Sequence, residues 1–143
     1  MSALEEVLAR RVPPGTYRWV GAGADEDEAV WRAQVEAAGW RFARLDAAAL
    51  RTRAELLDAL GPALGLVGYH GRNLDALEEC VRDLEQPTVL VWDGGEELAR
   101  AEPRTVRVVR TILVGDQDAP GTWVLLRGAA EDPGAPDVAP TLG

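Results

Sequence analysis

Two short runs, TVLVW at 88–92 and TWVLL at 122–126, constrain this chain more than any other feature. Neither shows the in-out alternation of a strand with one wet face. Runs of this kind suit strands covered on both faces, as in the interior of a parallel sheet. Two more segments, TYRWV at 16–20 and WRFARL at 40–45, also have strand composition.

Helical patterns separate the four. The spacing predicts a first helix over 26–38, with Asp25 and Glu28 as a capping box and Ala29, Val30, Ala33 and Ala37 on the core face. A second, over 52–64, repeats Leu56, Leu57, Leu60 and Leu64, with Gly61-Pro62 as a break or kink. A third starts after Asn73, whose side chain can accept from amides two or three residues on, and buries Leu77, Cys80, Val81 and Leu84. The fourth, over 103–114, sets Pro103 in its first turn and Val106, Val109, Ile112 and Leu113 on one side. The order β-α-β-α-α-β-α-β implies an α/β fold: a parallel sheet of about four strands, joined by right-handed crossovers and packed with helices.

The length, 143 residues, fits one domain over 1–130, and the last thirteen residues, EDPGAPDVAPTLG, hold three prolines and no periodicity, which reads as a disordered tail. No apolar stretch approaches the ~20 residues of a membrane span. The opening MSALEEVLARR has no apolar signal-type core, so a cytoplasmic location is the expectation.

Charge narrows the function. All 15 basic residues are arginine, against 24 acids, for a net charge of -9, which opposes direct nucleic-acid binding. Trp19, Trp40, Trp92 and Trp123 fall in or beside strand segments and Trp31 in a helix, where core aromatics belong. One histidine and one cysteine are too few soft ligands for a recognisable zinc pattern, so no metal or other cofactor is expected.

Catalytic arrangements fare poorly. VGAGADED follows a strand and precedes a helix, but Gly21 and Gly23 supply only two fingerprint glycines, and Asp25 to Glu28 would repel a pyrophosphate. Cys80 with His70 could be a nucleophile and base, yet Cys80 shares the apolar helix face. Asp75 and Glu79 could form an acid-base pair, but such spacing is common on solvated helices. The expectation is a protein that is not an enzyme.

What remains is GYHGRNLDALEEC, beginning at Gly68: a glycine-bearing loop, a helix start, then Asp75, Glu78 and Glu79 close together. Like charges at helical spacing cost roughly 0.2–0.5 kcal/mol per pair. They suit a surface that meets a partner's cations through charge-assisted hydrogen bonds.

The ordered stretch from Tyr69 to Cys80 resembles the binding loop and second helix of the barstar family, intracellular inhibitors of the small bacterial ribonuclease barnase. The similarity extends over about 40–128: residues 40–45 and 56–64 resemble the family's first strand and helix, and 106–113 and 123–126 its last helix and strand. Residues 1–38 lie outside it and add one β-α unit, as in longer bacterial members. The resemblance implies a barstar-like layered fold, a three-stranded core plus that unit. It also implies a small cationic extracellular-type ribonuclease as partner, guanyl-specific or toxin-type, with a monomer the expected state.

In that family the loop and helix plug the ribonuclease active site, carboxylates taking the place of RNA phosphates. Carried over by position, the contact residues are Tyr69, His70, Gly71, Asn73, Leu74, Asp75, Glu78 and Glu79. Asp75 and Glu79 stand for phosphate oxygens, Asn73 caps the helix, and Gly71 lets the backbone approach closely. The chain departs from the family at Glu78, commonly aromatic; at Glu79, where the type inhibitor has Asp; at Thr111, in place of a contact glutamate; and in an 80–87 loop about one residue shorter. A barstar-fold module that binds a non-nuclease partner is the alternative.

Overall fold

The computed structural model describes residues 2–21, 23–69, 73–116 and 120–128. The proposed disordered tail, like His70 and Gly71, lies outside them. In chain order the elements are α1 (Ala3–Leu8), β1 (Gly15–Arg18), α2 (Glu28–Ala37), β2 (Arg41–Asp46) and α3 (Arg53–Leu64). They continue with α4 (Leu74–Arg82), β3 (Thr88–Asp93), α5 (Glu96–Ala101), α6 (Pro103–Val114) and β4 (Thr122–Arg127).

All strand pairs are parallel, in the order β1-β4-β3-β2. The two uninterrupted apolar runs are the two central strands; β3 is buried at every position and β4 at all but its last. Successive side chains point to opposite faces, and each face has its own core. Ala43, Leu45, Leu90, Trp92, Val124 and Leu126 pack under α3, α4, α5 and α6. Phe42, Val89, Val91, Trp123 and Leu125 pack under α1 and α2, joined by Tyr17 and Trp19 of the N-terminal unit.

Aromatics dominate that second core. Trp19 stacks on Trp31 at 5.1 Å and Trp40 on Trp123 at 4.8 Å, and their centroids fall in the range of favourable tilted pairs. Two of the buried indole donors find backbone acceptors: Trp123 Nε1 donates to the Val12 carbonyl at 2.9 Å and Trp31 Nε1 to that of Gly23 at 2.8 Å, whereas Trp19 Nε1 and Trp92 Nε1 have none among the described residues.

The face of α2 differs from the sequence expectation. Trp31 and Val35 are its buried residues, while Ala29, Val30, Ala33 and Ala37 point outward. Burying one indole removes more apolar area than burying several alanines, so the tryptophan decides the rotation. The helix also begins at Glu28 rather than 26: residues 23–26 form a turn in which the Glu26 amide donates to the Gly23 carbonyl. Asp27 holds the cap position without a side-chain bond, so the capping box expected of Asp25 and Glu28 is not made.

Gly61-Pro62 does not end α3, which runs on to Leu64 and closes on Gly65 in a left-handed conformation. Pro62 lies in the last turn, where its missing donor costs one ladder bond near an end that frays anyway. At the other end a capping box not foreseen forms: Thr52 accepts from the Glu55 amide, while the Glu55 carboxylate accepts from the amides of Arg51 and Thr52. The bond from the Arg51 amide is the largest reason that this carboxyl titrates below its ordinary range. The short helices α1 and α5 were not legible either, because six residues cannot establish a period.

An ion cluster pins the carboxyl end of the sheet. Asp93, buried at the end of β3, accepts from Arg44 Nε of β2 at 2.6 Å and from Arg127 Nε and Nη2 of β4 at 2.7 and 3.0 Å. Arg127 also donates to the Ala24 carbonyl at 3.2 Å and lies over the Trp31 ring at 4.9 Å. One carboxylate thus ties three strands together, and through Arg127 ties them to the N-terminal unit. Its hydrogen bond is the first cause of a raised Arg44 pKa.

Candidate functional site

The site is organised by the start of α4. The Asn73 side chain accepts from the amides of Asp75 at 2.8 Å and Ala76 at 3.3 Å, satisfying two donors that a helix start leaves open. Asn73→Ala is expected to cost about 1 kcal/mol of stability, checked by chemical denaturation.

Leu77 is buried and Leu74, Cys80 and Val81 are half-buried against the core. Leu84 is half-buried too, but past the end of the helix. Cys80 is therefore less enclosed than its spacing suggested. Its thiol points to the Val67 carbonyl at 3.8 Å.

Asp75 and Glu79, one turn apart, are both exposed on the outward face, and neither forms an ion pair with a described residue. At that spacing their Cβ atoms are about 6 Å apart and their charges repel. Glu78 is also exposed, but is engaged by Arg82 Nη2 at 2.6 Å. Over 73–86 five carboxylates face a single arginine, so the helix and the turn after it are strongly acidic.

Tyr69 has a supporting role that the sequence did not reveal. Its hydroxyl donates to the Leu57 carbonyl at 2.8 Å, and its ring lies so close to Gly61 that a Cβ there would sit 2.7 Å from Cδ2. Gly61 is thus the seat for the residue that begins the loop. Gly61→Ala is expected to displace the ring and cost about 1–3 kcal/mol of stability, read from the unfolding midpoint and Tyr69 side-chain shifts.

The structure therefore sets Asp75, Glu78 and Glu79 exposed on α4 and Asn73 at its start, while Leu74 packs against the core and Tyr69 leans on α3. Thr111 of α6 is exposed, donates to the Arg107 carbonyl at 3.0 Å, and shares with Glu78 the wall of a cleft between α4 and α6. Sequence reasoning missed Gly61, Arg82 and this cleft. Only the Glu78-Arg82 spacing carried a signal for any of them.

The His70-Cys80 pairing cannot be placed, since His70 lies outside the described residues. Among those residues no cluster of metal-ligating side chains forms, and no helix is long and apolar enough to cross a membrane.

This is a parallel α/β protein that carries an Asn-capped acidic helix on one layer. The family model for Barstar (barnase inhibitor) matches residues 40–131, and the chain belongs to the barstar family. The match begins at the residue before β2 and leaves α1, β1 and α2 outside it. No curated protein matches the chain.

Proposed function

We propose that this chain is an inhibitor of a small guanyl-specific or toxin-type ribonuclease, closing the enzyme's active site with the 69–73 loop and α4. The observation that carries the reading is the exposed pair Asp75 and Glu79, set on a capped helix and without a cation of its own among the described residues. Family membership supplies the class of partner. Asp75 and Glu79 take the position of RNA phosphates among the enzyme's basic groups; Asn73 holds the helix start, and Tyr69, His70 and Gly71 shape the loop. Leu74 supports the surface from the core side. The action is occlusion, with no chemistry and no cofactor, in the cytoplasm of the producing cell.

A net charge of -9 meeting a cationic enzyme makes association fast and salt-sensitive. Barnase and barstar are themselves the reference example of charge-steered association, and the expectation is carried over from that pair. The test is titration into barnase and other guanyl-specific ribonucleases, including nucleases of the same organism, with an RNA substrate. Stoichiometric inhibition of one of them supports the reading. Failure across the panel, with a non-nuclease recovered in pull-down, moves the fold to the alternative of an interaction module.

We also propose that residues 1–130 form one folding unit. Removing 1–38 takes away the cover of Phe42, Val89, Val91, Trp123 and Leu125. The truncated chain is expected to bind a hydrophobic dye and lose cooperative unfolding; a shortened chain that melts like the parent would contradict this.

A further inference from the structure

The outward side of α6 carries the opposite charge from that of α4. Arg104 and Arg107 are both exposed there, three residues apart, and neither forms an ion pair with a described residue. Acids outnumber basic residues by 24 to 15 in this chain, so carboxylates to neutralise them are not scarce. The first turn of α6 holds Pro103 and Arg104 but no acid. A cation at that end opposes the helix dipole, and two cations at this spacing repel. Both arginines therefore work against folding.

Topology sets them beside Asp75 and Glu79. α4 leads into β3 and α6 into β4, neighbours in a parallel sheet, and both helices pack on the same face, so they run in the same sense. Their carboxyl halves share a cleft, with Glu78, Val81 and Arg82 on one wall and Thr111 and Ile112 on the other. From Thr111 back to Arg107 is four residues, a rise of about 6 Å, and from Glu78 back to Asp75 is three, about 4.5 Å. Arg107 thus stands about level with Asp75, on helices whose axes pack roughly 8–10 Å apart. Arg104 lies seven residues before Thr111, close to two full turns, and so on the same side of α6. Neither arginine is paired with either acid, and both signs face solvent side by side.

A standard protein interface covers roughly 800 Å² on each partner, a disc about 16 Å in radius. An enzyme seated on Asp75 and Glu79 therefore covers Arg107 as well. A wholly cationic surface would meet like charge there, which disfavours such a partner by several-fold or more. We infer that α6 selects, among small ribonucleases, one with a carboxylate on the rim of its cationic active site, and that Arg107, reinforced by Arg104, pairs with that carboxylate. This inference rests on the inhibitor reading and adds to it a specificity contact of opposite sign.

The test measures inhibition constants of full-length variants against barnase and a panel of guanyl-specific ribonucleases, using the enzyme the parent inhibits most strongly. The overall field alone makes every loss of an arginine tighten binding to a cationic enzyme, so the sign of the effect is diagnostic. Arg107→Gln is expected to weaken inhibition about ten-fold, Arg107→Glu about a hundred-fold and Arg104→Glu about five-fold. Arg32→Gln removes the same charge from α2, on the other face of the sheet, and is expected to leave inhibition unchanged or slightly tighter. Melting temperatures are expected to stay near the parent's, and that of Arg104→Glu to rise, because an acid suits the first turn of a helix.

Unchanged or tighter inhibition by both Arg107 variants, while Asp75→Ala is weakened, would overturn the inference and leave the inhibitor reading standing. An equal loss in Arg32→Gln would reduce the effect to a general perturbation and also overturn it. No inhibition by the parent chain would remove both.

Discussion

Asp75→Ala and Glu79→Ala are each expected to weaken binding to the target ribonuclease by about 2–5 kcal/mol, the range for removing one partner of a desolvated charge pair. Folding should be unharmed or slightly better, because each substitution relieves a like-charge contact worth a few tenths of a kcal/mol. The two effects have opposite signs, so a general loss of structure cannot mimic them. Calorimetric titration gives the first and chemical denaturation the second. Binding equal to the parent's in both variants would remove these residues from the interface, even if inhibition itself were found.

The second large effect concerns stability. Asp93→Ala takes the shared carboxylate from Arg44 and Arg127 at the carboxyl end of the sheet, leaving Arg44 its weaker pair with Glu28 at 3.3 Å and Arg127 the Ala24 carbonyl at 3.2 Å. Breaking a buried pair costs roughly 3–5 kcal/mol. Here the lower end, about 3 kcal/mol, is expected, because the Arg44 side chain is 37% exposed and water takes up part of the loss. Arg127 also bonds the Ala24 carbonyl and covers Trp31, so the N-terminal unit should loosen as well, visible as changed tryptophan fluorescence before global unfolding. A loss below about 1 kcal/mol would show that the cluster is solvated and that the aromatic core alone joins the layers.

The sheet was legible because its two central strands are buried on both faces, and that burial leaves continuous apolar runs which no helix period explains. The orientation of α2 was not. Ala29, Val30, Ala33 and Ala37 form a plausible apolar stripe, and only the pairing of Trp31 with Trp19, brought near by the sheet, reverses the choice. Pro62 misled for a related reason: a proline breaks a helix by an amount that depends on how near the end it lies.

At the site, Asn73, Asp75 and Glu79 could be read directly, since capping and exposure on one helix are local properties. Tyr69 and Gly61 could not, because their contact joins a loop to a helix through a close approach that sequence spacing does not encode. The cleft needs α4 and α6 side by side, and Glu78 and Asp116 are far apart in sequence. Glu78, the residue the family pattern explains least, lines that cleft and is held by Arg82.

The most direct measurement is competition in the enzyme's active site. Barnase, or the guanyl-specific ribonuclease inhibited most strongly, is loaded with increasing guanine mononucleotide and titrated with this protein. If α4 occupies the phosphate positions, the apparent inhibition constant rises linearly with free nucleotide concentration and without a plateau, and by the same factor in Asp75→Ala, whose constant starts higher. An inhibition constant independent of nucleotide would place the contact elsewhere on the enzyme and contradict phosphate mimicry by Asp75 and Glu79.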